Sequence, residues 1–130
     1  LSDQHTLVRT EKLVWMSARA HDAALRDPLP LAVFDRSCWW RDAALADIAA
    51  SGRRSRIVFT SESLAGVRAA VSAGMAVALL NERHLGADLA QAPDIAAPRP
   101  SYLVLHRAPG AVPSAAAALF DAVRDAAARM

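Results

Sequence analysis

Residues 60 to 80 constrain the fold more than any other stretch, because they combine the end of one strand, a short helix and a second strand. Ser61 is predicted to cap the helix, since its hydroxyl can accept a hydrogen bond from a free amide of the first turn. Glu62 then lies where a carboxylate interacts favourably with the helix dipole. The stretch therefore predicts a compact α/β unit, either with a ligand at the helix start or as an ordinary part of a core.

The rest of this stretch supports the same interpretation. Its apolar residues recur at three- and four-residue spacing, which predicts one buried helix face formed by Leu64, Val67, Ala70 and Val71. Gly74 follows the face and suits a left-handed position after a helix end. Residues 75 to 80 are apolar throughout, as in a strand that is covered on both sides.

Composition limits the chain to one globular domain or part of one. The 130 residues include 54% hydrophobic residues, which is ample for a core and argues against disorder. The formal net charge of +2 is weak support for direct nucleic-acid binding. No apolar run is long enough to cross a bilayer. Cys38 is the single cysteine, so an intrachain disulfide is excluded and a cytoplasmic location is expected.

Further elements follow along the chain. Pro28 and Pro30 frame a predicted strand at Leu29–Phe34. Other strands are predicted at residues 13 to 16, 56 to 60 and 101 to 106, with helices at 39 to 50 and 113 to 129 and an irregular stretch from 81 to 100. The last helix is predicted to bury Leu119, Phe120, Val123 and Ala127. Alternation of this kind favours a parallel or mixed sheet with flanking helices.

In open sheets of this type, ligands bind beyond the carboxyl ends of the strands. Three such ends are predicted, and they carry Arg36 and Ser37, then Thr60 and Ser61, then Asn81 followed by Glu82. The first two ends lead into helix N-termini, where free amides and the dipole attract anions. Small carboxylates are therefore the natural ligands, although local capping and turn hydrogen bonds explain the same residues about equally well.

The sequence gives no positive support for catalysis, a metal or a cofactor. Nucleotide-binding, hydrolase and metalloprotease motifs are absent, and the four histidines are widely separated. Cys38 at a helix start lacks an identifiable base, so packing beside the two tryptophans is the more natural role. Trp40 is predicted to pack in the core. Asp42 and Asp47 are interpreted as solvated charges on a helix face.

Several segments together resemble the effector-binding domain of LysR-type transcriptional regulators. They are residues 13 to 16, 28 to 34 and 38 to 45 and, most closely, residues 59 to 77, with the sequence FTSESLAGVRAAVSAGMAV. In that family the last segment commonly carries a second glycine, and here Ala76 replaces it. The resemblance covers about residues 7 to 130.

The resemblance implies a fold like that of type 2 periplasmic binding proteins, with two α/β subdomains and a ligand in the cleft between them. Residues 1 to 16 would end subdomain one and form the outgoing hinge strand. Residues 17 to 97 would form a complete subdomain two, and residues 98 to 130 would return to subdomain one. Ser37, Thr60 and Ser61 would contact the effector, Arg36 would be its charge partner, and Asn81 or Glu82 would lie on the far rim.

The family also carries an upstream winged helix-turn-helix, and no such segment is found here, so the resemblance implies a C-terminal fragment of a regulator. Ligand binding would then change how subunits pack and so reposition the DNA-binding parts. Because part of subdomain one would be missing, we expect exposed apolar surface, association into dimers or strand-exchanged oligomers, and weak effector binding.

Two other classes share this architecture. A solute-binding protein of a transport system would have the same fold but would carry an export signal. An enzyme on the same scaffold is disfavoured because no catalytic motif is found. The close match at residues 59 to 77 favours the regulator.

Overall fold

The computed structural model describes residues 5–36, 38–106 and 113–129. The elements in order are β1 (His5–Ala18), β2 (Leu29–Phe34), α1 (Trp39–Ser51), β3 (Ser55–Ser61), α2 (Leu64–Ser72), β4 (Ala78–Asn81), β5 (Leu89–Gln91), β6 (Arg99–His106) and α3 (Pro113–Ala128). Two short 3-10 turns lie at Ala23–Leu25 and Glu82–His84. The predicted order of strands and helices is confirmed. The expectation of an irregular stretch from 81 to 100 is wrong in part, because β5 and the second 3-10 turn lie within it.

The strands belong to two hydrogen-bonded groups. β2 and β3 form a parallel pair, whereas β1 lies antiparallel to both β4 and β5, and β6 also pairs with β1. Val77, the residue before β4, makes a single parallel bridge to Leu31 of β2. The chain segment that enters β4 therefore contacts both groups of strands, and the strand pairing is mixed, as predicted.

Successive side chains along each strand face opposite sides, as the pleat of a strand requires. On one side Leu13, Trp15, Leu29, Leu31, Val33, Val77 and Leu79 pack with Ala43, Ala44 and Ile48 of α1. On the other side Val14, Met16, Ala32, Ala76, Ala78 and Leu80 pack with Val67, Ala70 and Val71 of α2. The two helices thus cover opposite sides of the strands, and the predicted apolar face of α2 is confirmed except at Leu64, which is exposed.

The ends of α2 differ in part from the prediction. The residue that caps the helix is Ser63, whose hydroxyl accepts a hydrogen bond from the Gly66 amide at 3.1 Å. The predicted cap, Ser61, is wrong because Ser61 is still paired in β3 as its last residue. Gly74 has φ of 78°, so the predicted left-handed position after the helix is confirmed.

The chain divides into two compact units. One comprises Leu1–Glu11 with Pro100–Met130, and the other comprises Lys12–Arg99. We call these the terminal unit and the central unit. The central unit contains both groups of core residues that pack against α1 and α2. β1 and β6 each continue from one unit into the other.

Two further predictions of buried apolar residues are wrong. Leu119 of α3 is 62% exposed, whereas Ala127 on the same helix is buried. Met75 is 47% exposed, because the buried run begins at Ala76. Hydrophobic periodicity identifies the helix and the strand, but it does not fix which of their apolar residues are covered.

Asp47 is not the solvated charge that the sequence suggests. Its side chain is only 11% exposed. One carboxylate oxygen accepts a hydrogen bond from the Trp15 indole at 2.9 Å, and the other accepts one from the Arg99 guanidinium at 2.5 Å. Because Trp15 lies on β1 and Arg99 begins β6, this carboxylate joins α1 to both strands within the central unit.

Replacing Asp47 with Asn should destabilise the fold, because the change removes the charge that balances Arg99. Breaking a buried ion pair on one side typically costs about 3 to 5 kcal/mol, and the partial exposure of Arg99 places the expected loss at about 2 to 3 kcal/mol. Urea unfolding followed by circular dichroism measures the change. Asp42→Asn on the exposed face of the same helix is the matched control and should cost less than about 1 kcal/mol. Equal effects of the two substitutions would contradict the role of Asp47.

Candidate functional site

The parallel register of β2 and β3 brings two of the predicted strand ends together. Phe34 pairs with Ser61, and the Asp35 amide donates to the Ser61 carbonyl at 3.0 Å. Arg36 follows directly and lies 3.8 Å from Glu62, measured from guanidinium nitrogen to carboxylate oxygen. Arg36, Thr60 and Ser61 therefore lie at one edge of the pair, which we call the carboxyl edge.

The hydroxyl of Ser61 lies against the first turn of α2. It accepts a hydrogen bond from the Ser63 amide at 3.1 Å and lies 3.4 Å from the Ser63 hydroxyl. A Cβ atom at Gly66 would come within 2.2 Å of the Ser61 oxygen, so this close approach depends on glycine. Two serine hydroxyls are thus held beside the N-terminus of a nine-residue helix. Such a helix start attracts anions through its amides and its dipole.

Arg36 and Thr60 are both exposed at this edge. Arg36 also lies 4.0 Å from Asp35, and its side chain is 71% exposed. Ion pairs this open to water are weak and exchange readily. The guanidinium is therefore available to a carboxylate, although Asp35 and Glu62 place negative charge close by.

Arg41 is a second cation at the carboxyl edge, and the sequence search missed it. It lies in the first turn of α1. Its guanidinium donates at 2.6 Å to the carbonyl of Phe34, which is the residue that pairs with Ser61. The cap of α1 is Cys38, whose sulfur accepts from the Arg41 amide at 3.5 Å. An arginine three residues after a helix cap was the available signal. Its contact with β2 depends on tertiary packing, which periodicity does not reveal.

The remaining candidates lie elsewhere or outside the described residues. Asn81 is nearly buried at the end of β4, opposite Leu13 of β1, and its side-chain oxygen accepts from the Arg83 amide at 3.0 Å. It caps the 3-10 turn Glu82–His84, which corresponds to the local capping role that the sequence left open. Ser37 lies outside the described residues.

Trp40 is partly buried and packs against both groups of core residues, in agreement with its predicted core position. Its indole donates to the Leu79 carbonyl at 2.6 Å, and its ring centre lies 5.1 Å from that of Phe34. Trp39, for which the sequence makes no prediction, is 56% exposed. The large ring of Trp40 thereby keeps the end of β2 in place beside α1.

A charged network joins α2 to the segment before β5. Asp88 accepts hydrogen bonds from Ser72 at 3.1 Å and from Arg68 at 3.3 Å, and the bond from Ser72 is the main cause that lowers the pKa of Asp88. His84 lies near this network. Partial burial and the positive charges of Arg68 and Arg83 lower the pKa of His84 below its ordinary value of 6.5.

In the parts of the chain that the structure describes, no cluster of three or more His, Cys, Asp or Glu residues could hold a metal ion. None of the helices described is both long and apolar enough to cross a membrane. The carboxyl edge itself offers hydroxyls, amides and guanidinium groups, which are hydrogen-bond donors suited to an anion.

Comparison of the chain with known families identifies its class of protein. Residues 3–128 match the model of the LysR substrate binding domain, so the chain belongs to that family. The fold is accordingly that of the type 2 periplasmic-binding-protein-like domains of LysR regulators. The regulator interpretation is confirmed, and the fragment of a transport solute-binding protein is not supported.

The chain is similar to particular regulators along much of its length. It is 38% identical over 84 residues to the HTH-type transcriptional regulator DgdR of Burkholderia cepacia, which covers 65% of this chain and 29% of DgdR. The regulatory domain of HypT from Salmonella typhimurium in its bromide-bound form superposes with a TM-score of 0.77 at 12% identity, covering 97% of this chain and 65% of that one. DarR of Vibrio fischeri in complex with DNA superposes with a TM-score of 0.65 at 14% identity, covering 84% of this chain and 40% of DarR. The chain thus spans under a third of the length of its curated relative.

The lowered pKa of His84 predicts a specific dependence on pH. Because folding lowers this pKa, protonation opposes the folded state; the contribution of His84 to stability is present above about pH 6.5 and is lost as the pH falls through the folded-state value. An NMR titration of the imidazole C2 proton should give a pKa below 6.5. Arg68→Gln should raise that pKa, whereas Arg56→Gln on exposed β3 is the control and should leave it unchanged. A wild-type pKa at or above 6.5 would contradict this assignment.

Proposed function

We propose that this chain senses a small carboxylate at the carboxyl edge and so controls a LysR-type transcriptional regulator. The observation that carries the proposal is the pairing of Phe34 with Ser61, because it places Arg36 and Thr60 beside the start of α2. Ser61 and Ser63 supply hydroxyls there, and Arg41 adds a second guanidinium next to Phe34. A carboxylate at this point would gain charge-assisted hydrogen bonds that a neutral metabolite would not.

The two compact units support a proposal for the domain arrangement. In it, the central unit corresponds to subdomain two, predicted at residues 17 to 97, and the terminal unit corresponds to the parts of subdomain one at residues 1 to 16 and 98 to 130. β1 and β6, which continue from one unit into the other, act as the hinge strands. Ser37 is also proposed to contact the effector, and Asn81, which caps the Glu82–His84 turn, is proposed only for the far rim of the cleft.

In the complete regulator, effector binding would shift an equilibrium between two arrangements of the subunits. Because the effector must favour one arrangement, its differential affinity would set how strongly DNA binding changes. DNA would be contacted by a winged helix-turn-helix that is not found among these 130 residues. The site of action would be the cytoplasm, and the role would be regulatory rather than enzymatic.

The binding site can be tested with Thr60→Val, which keeps the shape of an exposed β-branched side chain and removes its hydroxyl. The probe is a panel of mono- and dicarboxylates with two to six carbon atoms. Their binding is measured by the shifts of backbone amide signals in NMR spectra of the labelled chain. NMR detects the weak binding that we expect. Losing one hydrogen bond to a charged ligand typically costs about 1.5 to 3 kcal/mol, so affinity should fall about 10- to 100-fold.

Thr10→Val is the matched control, since Thr10 is also an exposed strand threonine but lies in the terminal unit. It should leave the affinity unchanged, and circular dichroism should show both variants folded. Unchanged binding by Thr60→Val would remove Thr60 from the site. Failure of every carboxylate to shift signals at residues 34 to 36 and 60 to 66 would overturn the carboxylate proposal.

We also propose that the chain associates with itself through the terminal unit. Tyr102 and Leu103 of β6 and Leu119 of α3 are large apolar side chains that are 59%, 40% and 62% exposed. Contact between two copies would remove this apolar surface from water and so favour association.

Many contacts of this kind form at about 1 to 100 µM. Light scattering coupled to size-exclusion chromatography over this range of concentration should show a dimer or larger species. Leu119→Glu should shift the chain towards monomer. Leu25→Glu, at a residue of the central unit that is 82% exposed, is the control and should not change the mass. A monomer at every concentration would contradict the proposal.

A further inference from the structure

A pocket lies in the central unit at the amino-terminal ends of β2 and β3, opposite the carboxyl edge. Its volume is about 600 Å³, which is within the range of small-molecule sites. It is lined by the 3-10 turn Ala23–Leu25, which precedes β2, by Arg53, which precedes β3, and by residues 91 to 95, which begin at the last residue of β5. We call it the amino-end pocket.

The walls of this pocket are fixed by contacts of the fold. The His21 ring rests directly on Gly74, where a Cβ atom would come within 2.3 Å of the ring. One terminal nitrogen of Arg53 donates to the carbonyls of Ala24 at 3.0 Å and Arg26 at 3.4 Å. Asp22 forms an ion pair with Arg26 at 2.9 Å. The side chains of His21, Asp22 and Arg53 therefore have a defined placement before any ligand arrives.

Several polar groups in the pocket are not used by the fold. Among the described residues, the side chains of Ser17, His21, Gln91 and Asp94 have no hydrogen-bond partner, and Arg53 bonds through only one of its nitrogens. Ala92 and Ile95 are buried and supply an apolar base. Small-molecule sites usually combine an apolar base with a few free polar groups, as this pocket does.

The charges define the kind of ligand. Arg53 favours an anionic group, and Asp94 favours a cationic group. A purely anionic ligand would meet the repulsion of Asp94 and Asp22, and a purely cationic one would meet that of Arg53. We propose that the amino-end pocket binds a small zwitterion, namely an α-amino acid. Its carboxylate faces Arg53, its ammonium group faces Asp94, and its side chain packs on Ala92 and Ile95.

This site is separate from the carboxyl edge and does not depend on the carboxylate proposal. The two ligand classes differ, since the carboxyl edge has guanidinium groups and hydroxyls beside a helix N-terminus, whereas the amino-end pocket pairs a cation with an unused carboxylate. Each site is therefore testable without the other.

The experiment records amide NMR spectra of the labelled 130-residue chain with the twenty common L-amino acids. Acetate and methylammonium serve as probes that carry one charge only. At least one amino acid should shift signals of residues 21 to 25 and 91 to 95, while acetate and methylammonium at the same concentration should not. Absence of any shift at these residues, or equal shifts with acetate alone, would overturn the proposal.

The decisive variant is Asp94→Asn, because Asp94 is exposed and forms no hydrogen bond with any residue that the structure describes, so the fold should persist. Amino-acid affinity should fall about fivefold, as expected for one solvent-accessible charge pair. Asp121→Asn on exposed α3 is the matched control and should leave the affinity unchanged. Unchanged binding by Asp94→Asn would overturn the assignment to this pocket.

Discussion

The structure of the central unit depends on the backbone of Val77. Its amide donates to the Pro30 carbonyl at 2.9 Å, and its carbonyl accepts from the Ala32 amide at 3.0 Å, which ties it to β2. One residue later β4 begins, and it pairs with β1 instead. A single residue thus holds the parallel pair β2 and β3 beside the antiparallel strands. Without this junction, α1 and α2 would have no common set of strands to cover.

The divergence of β2 and β4 beyond this junction determines how the carboxyl edge is built. Where the strands separate, the Leu79 carbonyl loses a strand partner and accepts from the Trp40 indole instead. A buried carbonyl left without a donor would cost free energy, so the indole N–H is as important here as the apolar ring. Trp40 also contacts Phe34, the last residue of β2. The position of Arg36 therefore depends on a tryptophan that no binding motif would have identified.

The sequence predicts those features that depend on local chemistry. Pro28 and Pro30 mark the start of β2, and Gly74 follows the end of α2 because a left-handed residue is needed there. Features set by distant residues were missed. Ser61 and Ser63 are equally good caps by composition, and the choice of Ser63 follows from the pairing of Ser61 with Phe34. Asp47 resembles any charge on an exposed helix until Trp15 and Arg99, which are 32 and 52 positions away, bring their donors to it.

Helix α1 connects the carboxyl edge to the strands that leave the central unit. Arg41 in its first turn contacts the end of β2, and Asp47 holds β1 and β6 through Trp15 and Arg99. Six residues of α-helix separate the two contacts, a distance of about 9 Å along the axis. Helix hydrogen bonds hold these two side chains at a fixed spacing along the axis. Arg99 is the last residue of the central unit, and Lys12 is the first. Asp47 therefore bonds to both strands within the central unit, close to the points where the chain passes into the terminal unit.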